Sequence, residues 1–481
     1  MSDTPPRRTL SLTRKAAPAT TKKPDGEPRK RSGARARQVA QQERLRKPDA
    51  DTAPPEAAPP IRSRALPRDE STTIEDPQLS SGRRMARQTR HHTPRSPQIT
   101  EVFPIFAPCP HGMEEALAAE LQALAFDAVE MGRAGCHFRA DWMGVLRANL
   151  YSRLATRILV QVSQGAVHTE DDILELARET EWERWFGAEQ TLRVDTSALR
   201  SPMQSLQYCN LRAKDGICDR LREREGERPS IDTVRPDARV HLFLEAQQAT
   251  LYLDVSGESL FKRGWRLDKG EAPIRENLAA GLLALSDWHP DAPLLDPFCG
   301  SGTILIEAAW IALGVPPGIW RPFGFERLRN HNARLWHDLK DDARSRIATQ
   351  LEQPLLGCDL SAEAINAART NAARAHLTTD TVRFEIGDAR SFPSPSPSGW
   401  IVTNPPYGER LEGEGPALWP AWASQLKQHF SNWHVNIITS DLDLPKQLRL
   451  KPRRRIPLYN GALDCRLFQF EMVANSYRSL A

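Results

Sequence analysis

The stretch best suited to chemistry is Asn404-Pro405-Pro406-Tyr407, which follows the β-branched run Ile401-Val402-Thr403. Two prolines remove two backbone donors, so a central strand cannot continue through them and the chain leaves the sheet at Asn404. In open α/β sheets, ligands bind at the carboxyl ends of strands. The Asn404 amide oxygen and the Pro405 carbonyl are acceptors that suit a flat NH2 donor, and Tyr407 can stack on the ring that carries it. The alternative is an ordinary Pro-Pro loop with a capping Asn.

A second stretch predicts a strand, a glycine turn and a helix. Leu294-Leu295-Asp296 leads into Pro297-Phe298-Cys299-Gly300-Ser301-Gly302, and Thr303 opens a helical repeat. Glycines let the backbone approach a ligand closely, and a helix N-terminus offers free N–H groups to an anion. Alone, this pattern indicates a bare structural turn. Roughly a hundred residues before Asn-Pro-Pro-Tyr, it indicates a ligand site.

Two acids follow further predicted strands. Asp359 ends the strand Leu355–Asp359, where a carboxylate can accept ribose hydroxyls, and Asp388 follows the strand Val382–Ile386. The usual gap between a glycine loop and such an acid is about 20 residues. Here the gap is longer because a polar, Trp-containing excursion over residues 318–351 intervenes. The alternative for both acids is helix or turn capping.

In this order the motifs resemble the class I S-adenosylmethionine-dependent methyltransferases that methylate amines. The resemblance implies an α/β, Rossmann-like domain with a mostly parallel seven-stranded sheet, closed by two late antiparallel strands. It implies that S-adenosyl-L-methionine is the cofactor and that Asp388 contacts its adenine ring. The implied cofactor-binding residues are Asp296, Pro297, Cys299, Gly300, Ser301, Gly302, Thr303, Asp359, Asp388 and Asn404. The implied catalytic residues are Asn404, Pro405, Pro406 and Tyr407.

Residues 101–257 predict an α+β module of short helices and strands. Val240–Glu245 and Thr250–Val255 predict a hairpin whose connection is Ala246-Gln247-Gln248-Ala249. The arrangement resembles a ferredoxin-like piece followed by a THUMP domain, an RNA-binding module. The expected domains are therefore a tail over 1–100, this module over 101–257 and a methyltransferase domain over 258–481.

A basic, aromatic segment follows the module. Cations alternate with aromatic rings there, a composition suited to the backbone and bases of single-stranded nucleic acid. The candidate RNA-binding residues are Lys262, Arg263, Trp265 and Arg266. The alternative is a solvated turn whose aromatic rings pack inward. With the helix that follows, the segment resembles the bacterial THUMP-containing 23S rRNA guanine-N2 methyltransferases, over about Phe103 to Met472.

The first hundred residues differ in composition from the rest of the 481-residue chain. They hold 22 Lys and Arg, 11 Asp and Glu, 14 of the 38 prolines and no aromatic residue, which predicts a disordered basic tail. Its net charge is +11, against −7 for the remainder. Such a tail either binds nucleic acid or acts as a spacer. The sequence has no apolar stretch long enough for a secretory signal or a membrane span and no Cys-x-x-Cys pair, so we expect a cytoplasmic protein without metal or membrane partner.

The sequence thus predicts an RNA methyltransferase that transfers methyl to an exocyclic amine, with guanine N2 of 23S rRNA as the target that the resemblance favours. The alternatives are an N6-adenine methyltransferase on DNA or RNA, a tRNA guanine-N2 methyltransferase, and a protein glutamine methyltransferase. A further alternative is an RNA-binding assembly factor without activity. Many members of the family carry a second methyltransferase half. This chain stops after one, so a single reaction is expected.

Overall fold

The computed structural model describes residues 101–267, 274–406 and 415–473. The expected disordered tail and Tyr407 lie outside these described residues. Within them, two β-sheets are flanked by helices. The strands of the first sheet are β1 (Phe103–Pro108), β2 (Glu130–Gly132), β3 (Gly135–Ala140), β4 (Leu159–Ala166), β5 (Thr191–Leu199), β6 (Ser230–Ile231), β7 (Ala238–Glu245) and β8 (Gln248–Asp254). Its helices are α1 (Glu114–Ala123), α2 (Trp142–Tyr151), α3 (Glu170–Glu179) and α4 (Leu206–Glu225).

The first sheet joins the predicted ferredoxin-like and THUMP pieces. Its strand order is β2-β3-β1-β4-β8-β7-β5-β6, and antiparallel pairing of β4 with β8 makes it continuous. Burial alternates along β1 and β7, as expected for strands with one face on a core. The hairpin of β7 and β8 is confirmed, but its expected four-residue connection is wrong. Glu245 pairs with Gln248, which leaves a two-residue turn, and Ala246 adopts a positive φ of 49° in it.

The second sheet carries the chemistry-bearing motifs. Its strands are β9 (Leu294–Asp296), β10 (Leu355–Asp359), β11 (Arg383–Ile386), β12 (Gly399–Thr403), β13 (Trp433–Thr439), β14 (Arg454–Asn460) and β15 (Leu463–Glu471). Its helices are α5 (Glu276–Leu285), α6 (Thr303–Ala312), α7 (Ala333–Ser345), α8 (Ala362–Arg374), α9 (Gly415–His429) and α10 (Leu444–Leu448). The strand order is β11-β10-β9-β12-β13-β15-β14, with β14 and β15 antiparallel. The predicted seven-stranded, mostly parallel sheet is confirmed.

The strand order reverses between β9 and β12, which are direct neighbours in the sheet. A chain that winds outward in both directions from one pair of strands leaves a crevice at their carboxyl ends. Helix α6 starts at this crevice and is buried along eight of its ten residues. A helix that is apolar on all sides belongs in a core, so α6 fixes the glycine turn that precedes it.

The polar excursion after α6 joins the methyltransferase sheet to the module before it. The Arg321 guanidinium is buried and donates to the carbonyl oxygens of Glu258 at 2.7 Å and Ser259 at 2.9 Å. Burial and the neighbouring positive charge of Arg263 lower the pKa of Arg321 to about 10. The backbone of Gly324 packs so closely on Gly257 that a Cβ on Gly257 would lie 2.9 Å from the Gly324 nitrogen. The excursion therefore fastens the two sheets together.

None of the described helices is both long and apolar enough to cross a membrane.

Candidate active site

The two motif-bearing strands end side by side. Asp296 is the last residue of β9, and Thr403 is the last residue of β12. The Thr403 hydroxyl donates a hydrogen bond to Asp296 Oδ1 at 2.6 Å, and both residues are buried. Beyond Thr403 the two prolines end β-sheet pairing, as the sequence predicted. Asn404, the next residue, therefore leaves the sheet beside the strand end that carries Asp296.

The glycine turn has the backbone geometry of a ligand cradle. Gly300 has a φ of +51°, and a Cβ placed there would meet no atom within 4 Å. Gly302 has a φ of +81° and is the N-cap of α6, whose first turn receives no side-chain cap. A Cβ on Gly302 would lie 2.8 Å from Phe384 Cζ, so this position excludes a side chain. The open side of Gly300 and the uncapped helix N-terminus can accept an anionic group.

Asp359 lies against the same turn despite its long separation in sequence. Its Oδ2 accepts the Gly300 N–H at 3.0 Å, and its Oδ1 accepts the Ser361 N–H at 3.0 Å. Pairing of Gly357 with Asp296 in β10 and β9 places Asp359 two residues beyond the level of Asp296, beside the glycine turn. The carboxylate keeps further lone pairs for a ligand because each oxygen accepts one backbone N–H here.

The Asp296 carboxyl is held in an unusual electrostatic state. It is 2% exposed, and burial raises its pKa to about 7, with a smaller raising effect from the nearby charge of Asp359. The hydrogen bonds from the Thr403 hydroxyl and from the Phe298 N–H, at 3.2 Å, favour the charged form and oppose this rise. A positively charged ligand group beside Asp296 would stabilise its carboxylate.

Asn404 carries an acceptor without a donor. Its Oδ1 is buried, and no hydrogen-bond partner for it lies among the described residues. Pro405 and Pro406 have no N–H to donate, and Tyr407 lies outside the described residues, so both the ligand-binding and the capping interpretation of Asn404 stay predictions. A buried polar oxygen without a partner costs about 1–3 kcal/mol, which a bound NH2 group would recover. Pro405 next to it is buried and Pro406 is partly buried.

Asp388 also lies at the carboxyl edge of the sheet, but it is paired with its own turn. Its carboxylate binds Arg390 at 2.7 Å and accepts the Arg390 N–H at 2.8 Å. The hydrogen bond from the Arg390 side chain lowers the pKa of Asp388. The carboxylate is partly exposed. Contact with an adenine ring stays a prediction.

The remaining residues of the turn hold its shape. The Cys299 N–H donates to the Cys358 carbonyl at 3.0 Å, and the Cys358 thiol donates to the Pro297 carbonyl at 3.6 Å. Ser301 and Thr303 are buried, and Thr303 is the first residue of α6. Burial raises the pKa of the Cys299 thiol well above its usual value, so it stays protonated. These side chains support the backbone that faces the crevice.

The expected RNA contacts of the basic segment are wrong for three of its four residues. Arg263 is 1% exposed and binds Glu307 through its Nε at 3.2 Å, and Trp265 is 2% exposed. Arg266 binds both carboxylate oxygens of Glu276, at 2.9 and 2.6 Å. The alternative of inward-packed aromatics is thus correct for Trp265. Lys262 is exposed, but it pairs with Glu258 at 2.7 Å.

Two functional positions escaped the sequence analysis. Thr403 stood inside the motif, but a threonine at a strand end carries no signal that its hydroxyl will meet Asp296. Asn371 of α8 is fully buried and donates to the Ser301 carbonyl at 3.2 Å, which ties that helix to the glycine turn. A polar residue on the apolar face of a helix was the available signal. No group of three or more metal-ligating side chains lies within the described part of the chain.

Strand order, glycine turn and strand-end acids together define a class I methyltransferase fold. Residues 263–469 match the family model described as RMKL-like, methyltransferase domain. Residues 104–159 match the RlmL ferredoxin-like domain, and residues 167–254 match the THUMP domain. The chain therefore belongs to the THUMP-domain-containing class I methyltransferases. The expected boundary at residue 257 stays a prediction.

Known proteins resemble the chain over about three quarters of its length. The ribosomal RNA large subunit methyltransferase K/L of Syntrophotalea carbinolica is 40% identical over 386 residues, which are 77% of this chain and 54% of that protein. The chain thus spans about half the length of the curated relatives it matches. A structure described as a possible methylase from Clostridium difficile 630 is 30% identical with a TM-score of 0.72, over 77% of this chain and 98% of that one. The structure of SMU.472 complexed with SAH is 27% identical with a TM-score of 0.71, over 78% of this chain and 99% of that one.

Proposed function

We propose that this protein transfers a methyl group from S-adenosyl-L-methionine to an exocyclic amine of RNA, with guanine N2 of 23S rRNA as the target. The observation that carries the proposal is the buried Oδ1 of Asn404 at the switch point of the sheet, for which the described residues supply no hydrogen-bond donor. An acceptor in that state fits a ligand NH2 group. We likewise propose a cytoplasmic location, because a ribosomal RNA substrate would be met there.

The crevice fits the cofactor on structural grounds. The open side of Gly300 and the uncapped start of α6 would receive the carboxylate of the methionine end, and Asp296 would accept its ammonium group. Asp359 would accept the ribose hydroxyls, and Asp388 would contact the adenine. When bound, the cofactor supplies an electrophilic methyl group on a sulfonium centre. SMU.472, which shares the fold, binds the demethylated form of this cofactor.

Asn404 and Pro405 would position the amine. Asn404 Oδ1 and the Pro405 carbonyl each accept one amine hydrogen, so the nitrogen lone pair stays out of conjugation with the ring and points toward the methyl carbon. Tyr407 would stack on the base, which must leave its helix to reach the site. Holding the reacting atoms in line accounts for most of the catalysis, and no strong general base is needed.

The RNA substrate rests on the THUMP match at residues 167–254 and on the names of the curated relatives. Guanine N2 rests on the resemblance of the sequence to the 23S rRNA guanine-N2 methyltransferases. The acceptor pair at Asn404 would by itself serve an adenine N6 amine equally well. The alternative of N6-adenine methylation is therefore a direct competitor within the same site.

The test is methyl transfer from labelled cofactor to 23S rRNA that lacks native modifications, followed by nucleoside analysis. We expect labelled N2-methylguanosine, with an initial rate about 10²–10³-fold lower for the Asn404→Ala variant. Labelled N6-methyladenosine would replace the guanine assignment with the adenine one. Label on DNA or protein alone would contradict the RNA assignment, and the absence of any transfer would contradict the enzymatic function.

A further inference from the structure

The strongest concentration of exposed positive charge among the described residues lies away from the crevice. Five cations occur within seven residues at the end of α10 and the start of β14, and all five side chains are exposed. We propose that this cluster binds phosphates of the RNA substrate outside the catalytic pocket. The cluster, called the basic edge below, consists of Arg449, Lys451, Arg453, Arg454 and Arg455. The inference rests on the proposed function, which supplies an RNA substrate.

The charges of the basic edge are nearly free of acidic partners. Within the described residues, its one ion pair joins Arg453 to Glu471 at 3.9 Å, and both side chains are more than half exposed. Exposed pairs of this kind contribute about 0–1 kcal/mol, so Arg453 remains available to a ligand. The Arg455 guanidinium lies 5.8 Å from the centre of the Phe468 ring, which orients it at the surface.

Other arginines of the same domain show what a structural role looks like here. Arg263 and Arg321 are buried, and their guanidinium groups bind a carboxylate or several carbonyl oxygens. Arg266 likewise binds both oxygens of Glu276. The basic edge has no comparable set of partners in the described structure, so its charges do not serve the fold in this way.

The position of the basic edge sets which phosphates it can reach. β14 is the last strand of the sheet, and Arg454 pairs with Gln469 near the end of β15. β15 runs antiparallel to β13, so the start of β14 lies at the edge of the sheet opposite the carboxyl strand ends that form the crevice. The seven residues of β14 span roughly 20 Å at about 3.3 Å per residue. The phosphates bound here therefore belong to nucleotides distant from the methylated base, as in a long or folded RNA.

Charge complementarity favours RNA as the occupant. The N-terminal hundred residues of the chain carry a net charge of +11, so their charge does not complement that of the basic edge. Residues 101–481 carry −7, which makes a local excess of positive charge a specific feature of this surface. A polyanion with regularly spaced phosphates releases counterions when it binds such a cluster. The competing explanation is that cations on an edge strand prevent sheet-to-sheet association.

The test compares two variants that each lose four exposed arginines. The first replaces Arg449, Arg453, Arg454 and Arg455 by Gln, and the control replaces Arg334, Arg344, Arg346 and Arg383 by Gln. The measurement is the affinity for a long, folded 23S rRNA fragment between 50 and 200 mM salt. Each lost phosphate contact lowers the slope of log affinity against log salt by about 0.7–0.9. We expect the slope of log affinity against log salt to be smaller by about 1–3 in the first variant, and its affinity at the lowest salt to be at least tenfold lower. The control should retain the wild-type slope and affinity.

Two further readouts separate the explanations. KM for methyl transfer to the long RNA should rise in the first variant, while cofactor affinity and the KM for a short oligonucleotide stay unchanged. A wild-type salt slope in the first variant would overturn the proposal. Self-association of that variant with unchanged RNA affinity would also overturn it, in favour of edge protection. If the first variant binds RNA more weakly than the wild type but the wild type transfers no methyl group, the proposed function is rejected while the RNA-binding role of the basic edge is retained.

Discussion

Replacing Thr403 by Val should shift the pH at which the cofactor binds. The Thr403 hydroxyl donates at 2.6 Å to Asp296 Oδ1, one of two hydrogen bonds that favour the charged carboxylate. Val has nearly the same shape as Thr but no donor, so the substitution removes this bond without opening a cavity. The buried carboxyl, whose pKa is already raised to about 7, then becomes harder to ionise.

The size of the shift follows from the lost interaction. A hydrogen bond to a charged group contributes about 1.5–3 kcal/mol, which corresponds to roughly 1–2 pKa units. In the proposed site only the charged carboxylate would pair with the protonated ammonium group of the cofactor, so affinity should rise with pH through the pKa of Asp296 and fall again where the ammonium group loses its proton. From the Asp296 pKa of about 7 we expect the midpoint of the rise in the wild type at about the same pH. In the variant we expect a midpoint of about 8–9 and an affinity at pH 7 that is lower by about 5- to 50-fold.

The assay is calorimetric titration with S-adenosyl-L-methionine between pH 5.5 and about 9.5, a range that brackets both expected midpoints. Thr403→Ser keeps the hydroxyl and should restore the wild-type midpoint, and Asp296→Asn should bind weakly and lack the rise in affinity with pH that the carboxylate gives. An unchanged midpoint in Thr403→Val would refute the coupling between Thr403 and Asp296. A midpoint unaffected by Asp296→Asn would remove Asp296 from the ammonium site altogether.

Two predictions concern other groups of the same domain. Arg263→Met should lower the free energy of unfolding by about 3–5 kcal/mol because it leaves the fully buried Glu307 carboxylate without its nearest partner. Lys262→Met, at the exposed neighbouring position, should change the free energy of unfolding by less than about 0.5 kcal/mol. Denaturant unfolding measures both variants. Equal, small effects of the two substitutions would show that the pair is not structural. Asp359→Ala should weaken cofactor binding by about 1–3 kcal/mol in calorimetry, and unchanged affinity would remove Asp359 from the ribose site.

The crevice could be predicted from sequence because local chemistry dictates it. Two consecutive prolines end sheet pairing wherever they occur, and the structure ends β12 at Thr403, directly before Asn404. The glycine turn is local in the same sense, since Gly300 and Gly302 adopt positive φ angles that other residues disfavour. The position of Asp359 at a strand end was predicted in the same way, because it directly follows an apolar run.

The basic segment could not be predicted because its partners are distant in sequence. Alternating cations and aromatics suit RNA when exposed, but here Arg263 meets Glu307 from a helix 44 residues away. Whether a cation is exposed or paired depends on which carboxylates the fold brings beside it, and sequence spacing does not report this. The basic edge is the reverse case, because its run of cations stays exposed at the start of β14, the last strand of the sheet.

The central claim is that Asn404 positions the reacting amine, and single-turnover methyl transfer by Asn404→Ala tests it most directly. Positioned polar groups at a reacting atom contribute about 10²–10³ in rate. The account predicts that the rate per folded protein falls by at least that factor, while cofactor affinity and melting temperature stay near wild-type values. A variant that is less stable but transfers methyl at the wild-type rate per folded molecule would contradict it.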